Sequence, residues 1–281
     1  MNFRTTKGIF SLARPLNALI TFAAIIAAGV IAGAGWSLLP SLLTTATAGL
    51  LLTAAGNALN DVFDVSIDKV NKPDRAIVSG AVTLRQAVIA VVLLSVTGLA
   101  FSAIAGSLTF SIAAVSSLAI FAYNAGLKRV PLAGNLVVGL LTGAAFFFGA
   151  SVTGNIDTAV FPAILSCFFN WAREILKDVE DVEGDRAAGI RTFPIIAGVP
   201  ASLLLSTMIL LFIIAGSAAP YFFNIYSSLY FWIVLAGVDT VLIYTIFSMW
   251  KDSTKTNIAR LAILLKFEMI IGIAAIVLGT R

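Results

Sequence analysis

Nine apolar runs, each close to 20 residues, leave this chain one kind of solvent to fold in. A helix needs roughly 20 apolar residues to cross the hydrocarbon core of a bilayer. The runs lie at about 15–35, 40–64, 83–105, 107–125, 131–150, 158–180, 196–216, 224–250 and 257–279. Turn and breaker residues separate most of them: Gly35 to Pro40, Asn71 to Pro73, Pro131, Thr153 to Asn155, Pro194 to Pro200, and Pro220. Charged residues make up 11% of the chain, against about 25% in a soluble domain, so nearly all of it is expected in the membrane with no separate soluble domain. Backbone polar groups inside a bilayer must bond within their own segment, which favours helices. The expected fold is all-α: a polytopic membrane protein of nine transmembrane helices around a central cavity, one domain over residues 1–281. The first run continues past Ala32 without a cleavage site, so it reads as a span and not as a signal peptide.

The basic residues set the expected orientation. With nine spans, 16 of the 18 Lys and Arg fall on one face. Arg4, Lys7 and Arg14 precede the first span; Lys69, Lys72, Arg75 and Arg85 follow the second; Lys128 and Arg129 follow the fourth. Arg173, Lys177, Arg186 and Arg191 surround the connection after the sixth, and Lys251, Lys255 and Arg260 follow the eighth. Lys266 and Arg281 are the exceptions. This bias places that face, with the N-terminus, in the cytoplasm and the C-terminus outside a cell membrane.

Ten of the 14 acidic residues lie in two stretches on the same face, Asp61 to Asp74 and Glu174 to Asp185, and most of them fall in two compact motifs. The first, at 57–68, reads Asn57-Ala-Leu-Asn60-Asp61-Val-Phe-Asp64-Val-Ser-Ile-Asp68, and the second, at 178–185, reads Asp178-Val-Glu-Asp181-Val-Glu-Gly-Asp185. On a continuous helix, Asp64 lies about 40°, Asn57 about 60°, Asp68 about 80° and Asp61 about 100° from Asn60. Asp178, Asp181 and Asp185 likewise form one stripe, with Glu180 and Glu183 turned to solvent. Like charges on one stripe repel, and bridging divalent cations relieve that repulsion. Asp64 to Asp181 and Asp68 to Asp185 are both separated by 117 residues, and Arg75 and Arg191 follow the two motifs at similar distances. That spacing reads as a weak internal repeat, with two facing stripes brought to one cavity.

The chain has no histidine, which excludes imidazole ligands and histidine bases. A bound metal must then be held by oxygen, which selects magnesium, calcium or manganese. Two magnesium ions, each keeping positions open for phosphate oxygens, suit this ligand supply. The one cysteine, Cys167, sits in an apolar run and reads as a small packing residue.

These residues resemble the UbiA superfamily of intramembrane prenyltransferases. The resemblance rests on Asn60-x-x-x-Asp64-x-x-x-Asp68, Asn71-Lys-Pro-Asp-Arg75, Ser79-Gly80 and Asp181-x-x-x-Asp185, and it covers nearly the whole chain. Arg14-Pro-Leu-Asn17, Gly56 to Asp64, and Arg173 to Asp185 are most similar to the branch of that family that builds archaeal ether lipids. One departure is Arg75-Ala-Ile-Val-Ser-Gly80, where the family often carries two prolines; their loss predicts a less rigid loop and removes no ligand.

The resemblance implies magnesium-dependent transfer of a geranylgeranyl group from its diphosphate to geranylgeranylglyceryl phosphate, forming a second ether bond. The expected metal ligands are Asn60, Asp64, Asp68, Asp178, Asp181 and Asp185. Asp61 joins Asp64 and Asp181 as a candidate catalytic carboxylate; either it or the diphosphate itself takes the acceptor's proton. Lys72, Arg75, Lys128, Arg173, Lys177 and Arg191 are candidate phosphate ligands, Arg75 and Arg191 foremost. Arg14, Asn17, Tyr123 and Asn124 are candidate substrate contacts. Phe146 to Phe148, Phe168, Phe169 and Trp171 are candidates to line a prenyl cavity and face an allylic cation. The implied partners are an isoprenyl diphosphate donor, a lipid-phosphate acceptor and membrane lipids, with no nucleic acid.

Two other readings stay beside this one. An aromatic acceptor, a quinone precursor or a porphyrin, keeps the family and changes the acceptor. A cation transporter also uses acidic helix ends, although transporter sites lie near the midplane. The Asp-Gly-x-x-Ala-Arg signature of the CDP-alcohol phosphotransferases is absent. Asp239 and Lys266 fall at similar depth in neighbouring runs and are expected to form a buried ion pair, with Glu268 pointing elsewhere.

Overall fold

A computed structural model describes residues 3–280, with the side chains of Phe3, Arg4 and Asn71 outside the description. Arg4 and Arg281 of the charge pattern and the Asn71 side chain of the first motif therefore lie outside the described residues. The chain is an all-helical, multi-pass membrane protein. In order, its helices are α1 (Phe3–Leu12), α2 (Pro15–Ile31), α3 (Leu39–Phe63), α4 (Val65–Asn71), α5 (Leu84–Ala105), α6 (Ser107–Ala125), α7 (Ala133–Ala150) and α8 (Val160–Glu180). They continue as α9 (Val182–Ala187), α10 (Phe193–Ala197), α11 (Val199–Ser217), α12 (Ala219–Phe222), α13 (Ser228–Ile233), α14 (Thr240–Lys251) and α15 (Lys255–Gly279). A π-helical segment, Val234–Asp239, joins α13 to α14 without a break.

Eight helices among the described residues are long and apolar enough to span a membrane, and a ninth span exists if the bent pair α1 and α2 counts as one. The expected first span at 15–35 differs in detail. Its regular part ends at Ile31, and a separate helix precedes it, bent away by 43°. The bend has a local cause. Pro15 opens α2 without an N–H to give, and Arg14 before it adopts φ 46°, ψ 68°, the left-handed region a side chain rarely enters.

The chain forms two compact units, Met1–Lys128 with Ala144–Ile156, and Arg129–Gly143 with Asp157–Arg281. The N-terminal unit packs Ile25, Ala46, Ala48, Leu52, Ala113 and Phe148 into one cluster and Leu12, Ala58, Ala76, Val82 and Ala87 into another. Alanine dominates because lipid tails give helices little hydrophobic reason to associate; close backbone approach does the work. Gly149 shows the tightness: a Cβ there would collide with the Ile25 carbonyl. In the C-terminal unit, Gly139 and Gly143 on α7 seat against α8, where a Cβ would stand 2.6 Å from the carbonyls of Cys167 and Ala163. Cys167 is buried and unbridged at that contact, as a packing residue should be. Larger side chains, Ile175, Leu176, Leu210, Leu242, Leu261 and Leu265, fill the core of this unit.

Candidate active site

Each acidic motif is built on a helix junction, one in each unit. Asp64 ends α3 and opens α4 with φ −95°, ψ 10°. Asp181 ends α8 and opens α9 with φ −93°, ψ 5°. The i to i−4 hydrogen bonds run through both junctions: Asp64 N to Asn60 O at 2.9 Å and Asp68 N to Asp64 O at 2.7 Å, then Asp181 N to Lys177 O and Asp185 N to Asp181 O at 2.9 Å each. The expectation of stripes on uninterrupted helices is corrected here. At both aspartates ψ opens from the helical value near −42°, so the residues beyond them ride on a separate short helix. Asp68 and Asp185 are both buried there. Glu183 is exposed as expected, whereas Glu180 is half-buried.

In the N-terminal unit, cations gather on the motif. Asp61 is 3% exposed. Its Oδ1 accepts from Arg14 Nη2 at 2.6 Å and also from Arg75 Nη1. The strained turn at Arg14 is what aims that guanidinium, and strain of this kind recurs at functional positions. Asn57 Nδ2 donates to the Ala13 carbonyl at 3.1 Å, holding the same turn against α3. Arg75 sits in the loop after α4, whose course is fixed by Ser79 N to Arg75 O at 2.8 Å, Val82 N to Ala76 O at 3.0 Å and the burial of Ala76 and Val82. Lys128 Nζ pairs with Asp64 Oδ1, and its ammonium lies 5.7 Å from the centre of the Phe63 ring. The Asn60 side chain is half-buried. Burial pushes the Asp68 carboxyl above the usual carboxylate range; Arg75 opposes the shift, and Asp61 and Asp64 reinforce it. Asn17, Lys72 and Tyr123 are half-buried. Asn124 is buried with Nδ2 bonded to the Ile120 carbonyl and Oδ1 without a partner.

In the C-terminal unit, the charges are arranged otherwise. Asp178 Oδ2 accepts from Asn135 Nδ2 on α7 at 2.9 Å. Glu174 collects the basic residues of α8: Lys177 Nζ reaches both its oxygens at 2.8 and 2.9 Å, and Arg173 Nη1 reaches Oε1 at 3.0 Å. Arg173 Nε also donates to the Ala262 carbonyl on α15 at 3.1 Å. Arg191 is exposed. Asn135 and Glu174 were not among the sequence candidates. A lone asparagine in an otherwise apolar helix was the available signal for the first; Glu174, between two basic residues, was masked by the charges it neutralises.

The expected Asp239 to Lys266 ion pair does not form. Asp239 instead accepts from the Ser217 hydroxyl at 3.1 and 3.2 Å. A hydroxyl three helices away in sequence reached the carboxylate first, and nothing in the charge pattern pointed to it.

Every candidate ligand at the two junctions is an oxygen donor, and among the described residues no three acidic, histidine or cysteine side chains converge as a metal-holding group. An all-oxygen, incomplete donor set fits an ion that takes one or two carboxylates from protein and the rest from water and phosphate, as magnesium does.

Helical spans, twinned aspartate junctions and basic side chains set on carboxylates define a membrane-embedded transferase acting on an anionic substrate. The chain belongs to the UbiA prenyltransferase family, whose model matches residues 19–270. It is 37% identical over 239 residues to digeranylgeranylglyceryl phosphate synthase of Halobacterium salinarum, covering 85% of this chain and 87% of that relative. A solved structure described as digeranylgeranylglyceryl phosphate synthase in membranes matches with a TM-score of 0.77 at 28% identity, over 98% of both chains. A UbiA homolog from Archaeoglobus fulgidus, solved bound to GPP and Mg2+, shares the fold with a TM-score of 0.71 at 17% identity, over 96% of this chain and 99% of that one.

Proposed function

We propose that this chain transfers a geranylgeranyl group from its diphosphate to geranylgeranylglyceryl phosphate, making the second ether bond of an archaeal membrane lipid. The observation that carries this reading is the aspartate-centred helix junction, present twice, in a chain aligned over most of its length with relatives named for that product. The bond between the donor's C1 and its diphosphate oxygen breaks, and the diphosphate leaves with the electron pair. The acceptor's glycerol hydroxyl forms the new C–O bond and gives up its proton to the departing diphosphate.

The residues divide this work. In the N-terminal unit, Asn60, Asp64 and Asp68 are the proposed metal ligands; in the C-terminal unit, Asp178, Asp181 and Asp185. Magnesium, in two ions when bound, supplies Lewis-acid stabilisation of the leaving diphosphate. Arg75, Arg14 and Lys128 meet phosphate oxygens, and Lys72, Arg173, Lys177 and Arg191 add positive charge. Asp61 accepts two guanidinium groups; that favours a role in aiming Arg14 and Arg75 over one as proton acceptor. Asn17 and Tyr123 are proposed substrate contacts. The excess of Lys and Arg beside both motifs supports a cytoplasmic active site and N-terminus, with the C-terminus outside.

The test is purified protein with magnesium and geranylgeranyl diphosphate, offered either geranylgeranylglyceryl phosphate or an aromatic acid. Transfer to the glyceryl phosphate alone is expected. Transfer to the aromatic acid alone overturns the acceptor assignment.

A further inference from the structure

The C-terminal unit buries a second acidic group that the prenyl transfer does not use. Glu268 on α15 is 2% exposed, and neither of its carboxylate oxygens has a hydrogen-bond partner. It lies within a membrane span. Asp239, 6% exposed, lies at a similar depth on the neighbouring segment: Gly237, two residues before it, packs on Ile271, three residues past Glu268. Asp239 ends the π-helical segment, which packs on α15 through Gly237, where a Cβ would stand 2.9 Å from Ile271. Segments of this geometry gather at functional positions.

Other polar groups surround the pair. Ser217 on α11 donates to Asp239, and Tyr230 Oη on α13 donates to the Ser217 carbonyl at 2.8 Å. Tyr226 stacks on Tyr230 with ring centres 4.7 Å apart, and its buried hydroxyl has no partner. From α8, Arg173 bonds to the Ala262 carbonyl and to Glu174; Ala262 is about 9 Å along α15 from Glu268. Lys266 is about 200° round α15 from Glu268. Neither cation hydrogen-bonds to the Glu268 oxygens. A bare carboxylate in this setting is too costly to persist without a positive charge.

We propose that Glu268 and Asp239 form a binding site for one small, singly charged cation, a proton or an alkali-metal ion, held between two membrane-buried carboxylates. The bound charge lets α15 pack on the π segment. The site is independent of the acceptor and donor assigned above.

The test uses the purified full chain in detergent and reads the thermal unfolding midpoint. Sodium chloride is exchanged for choline chloride at constant ionic strength, from mildly acidic to mildly basic pH, in wild type, Glu268→Gln and Asp239→Asn. An alkali-ion site gives a midpoint that rises with sodium in wild type and is flat in Glu268→Gln. A proton site gives a wild-type midpoint that ignores sodium and falls as pH rises, because the folded form loses the proton it held; Glu268→Gln removes that slope. Infrared spectroscopy of wild type keeps the question decidable if the variants do not fold. It should show either the carbonyl stretch of a protonated buried carboxyl or a carboxylate band that shifts with sodium. Wild type and Glu268→Gln responding alike to both variables, or neither infrared signal in wild type, overturns the proposal.

Discussion

The α3–α4 and α8–α9 junctions bend the chain the same way, with Asp64 at φ −95° and Asp181 at φ −93°, yet their carboxylates keep different company. At the first, three cations drawn from outside the two helices sit directly on the motif: Arg14 and Arg75 on Asp61, and Lys128 on Asp64. At the second, Arg173 and Lys177 of α8 itself are taken up by Glu174, while Asp178 is held by the neutral amide of Asn135. The backbone repeat sets where a carboxylate stands. The neighbours decide whether it is already charge-compensated before substrate arrives. One junction draws Arg14, Arg75 and Lys128 from distant segments; at the other, Glu174 is held by cations of its own helix and Asp178 by the amide of Asn135.

Variants that separate these two characters sharpen the comparison. The largest effect is expected from removing metal. A chelator should abolish transfer and added magnesium restore it, because both junctions hold only oxygen donors; transfer that persists in chelator would break the parallel between them. Next comes Asp61→Asn. It strips the negative charge that two half-buried guanidinium groups share, leaving them a neutral amide oxygen, and is expected to cost about 3–5 kcal/mol, read as a fall in the unfolding midpoint. Asp178→Asn leaves a group that still accepts from Asn135 and should cost about 1 kcal/mol. Equal losses would mean that the two junctions are not built differently. Lys128→Met removes the cation that competes for Asp64, so the magnesium concentration giving half-maximal activity should fall about tenfold, or about 1.4 kcal/mol. Glu174→Gln should be mildest, below about 1 kcal/mol, since Arg173 keeps its bond to the Ala262 carbonyl.

The same contrast explains what the sequence could and could not show. Span positions were legible because the bilayer demands one long apolar segment per crossing, and α5, α6 and α8 fall within about two residues of the runs read for them. Both motifs were legible because carboxylates are rare in such a chain. The breaks at Asp64 and Asp181 were not, since their hydrogen-bond ladder continues and only ψ changes. Partners across segments were least legible. Asn135 on Asp178 and Ser217 on Asp239 depend on which helices touch, and opposite-charge matching pointed Asp239 to Lys266 instead. Arg14 was noticed for its place beside Pro15, but its left-handed turn, and therefore its reach to Asp61, is a property of the folded backbone.

The central claim is that the two junctions do the same chemical job despite their different neighbours. Its most direct measurement is the single-turnover rate of geranylgeranyl transfer in Asp64→Ala and Asp181→Ala, compared side by side at saturating magnesium with folding checked by the unfolding midpoint. Both rates should drop by at least about 10²-fold, the scale of losing one electrostatic contact to a transition state. A folded variant of either kind that transfers at the wild-type rate would contradict the account.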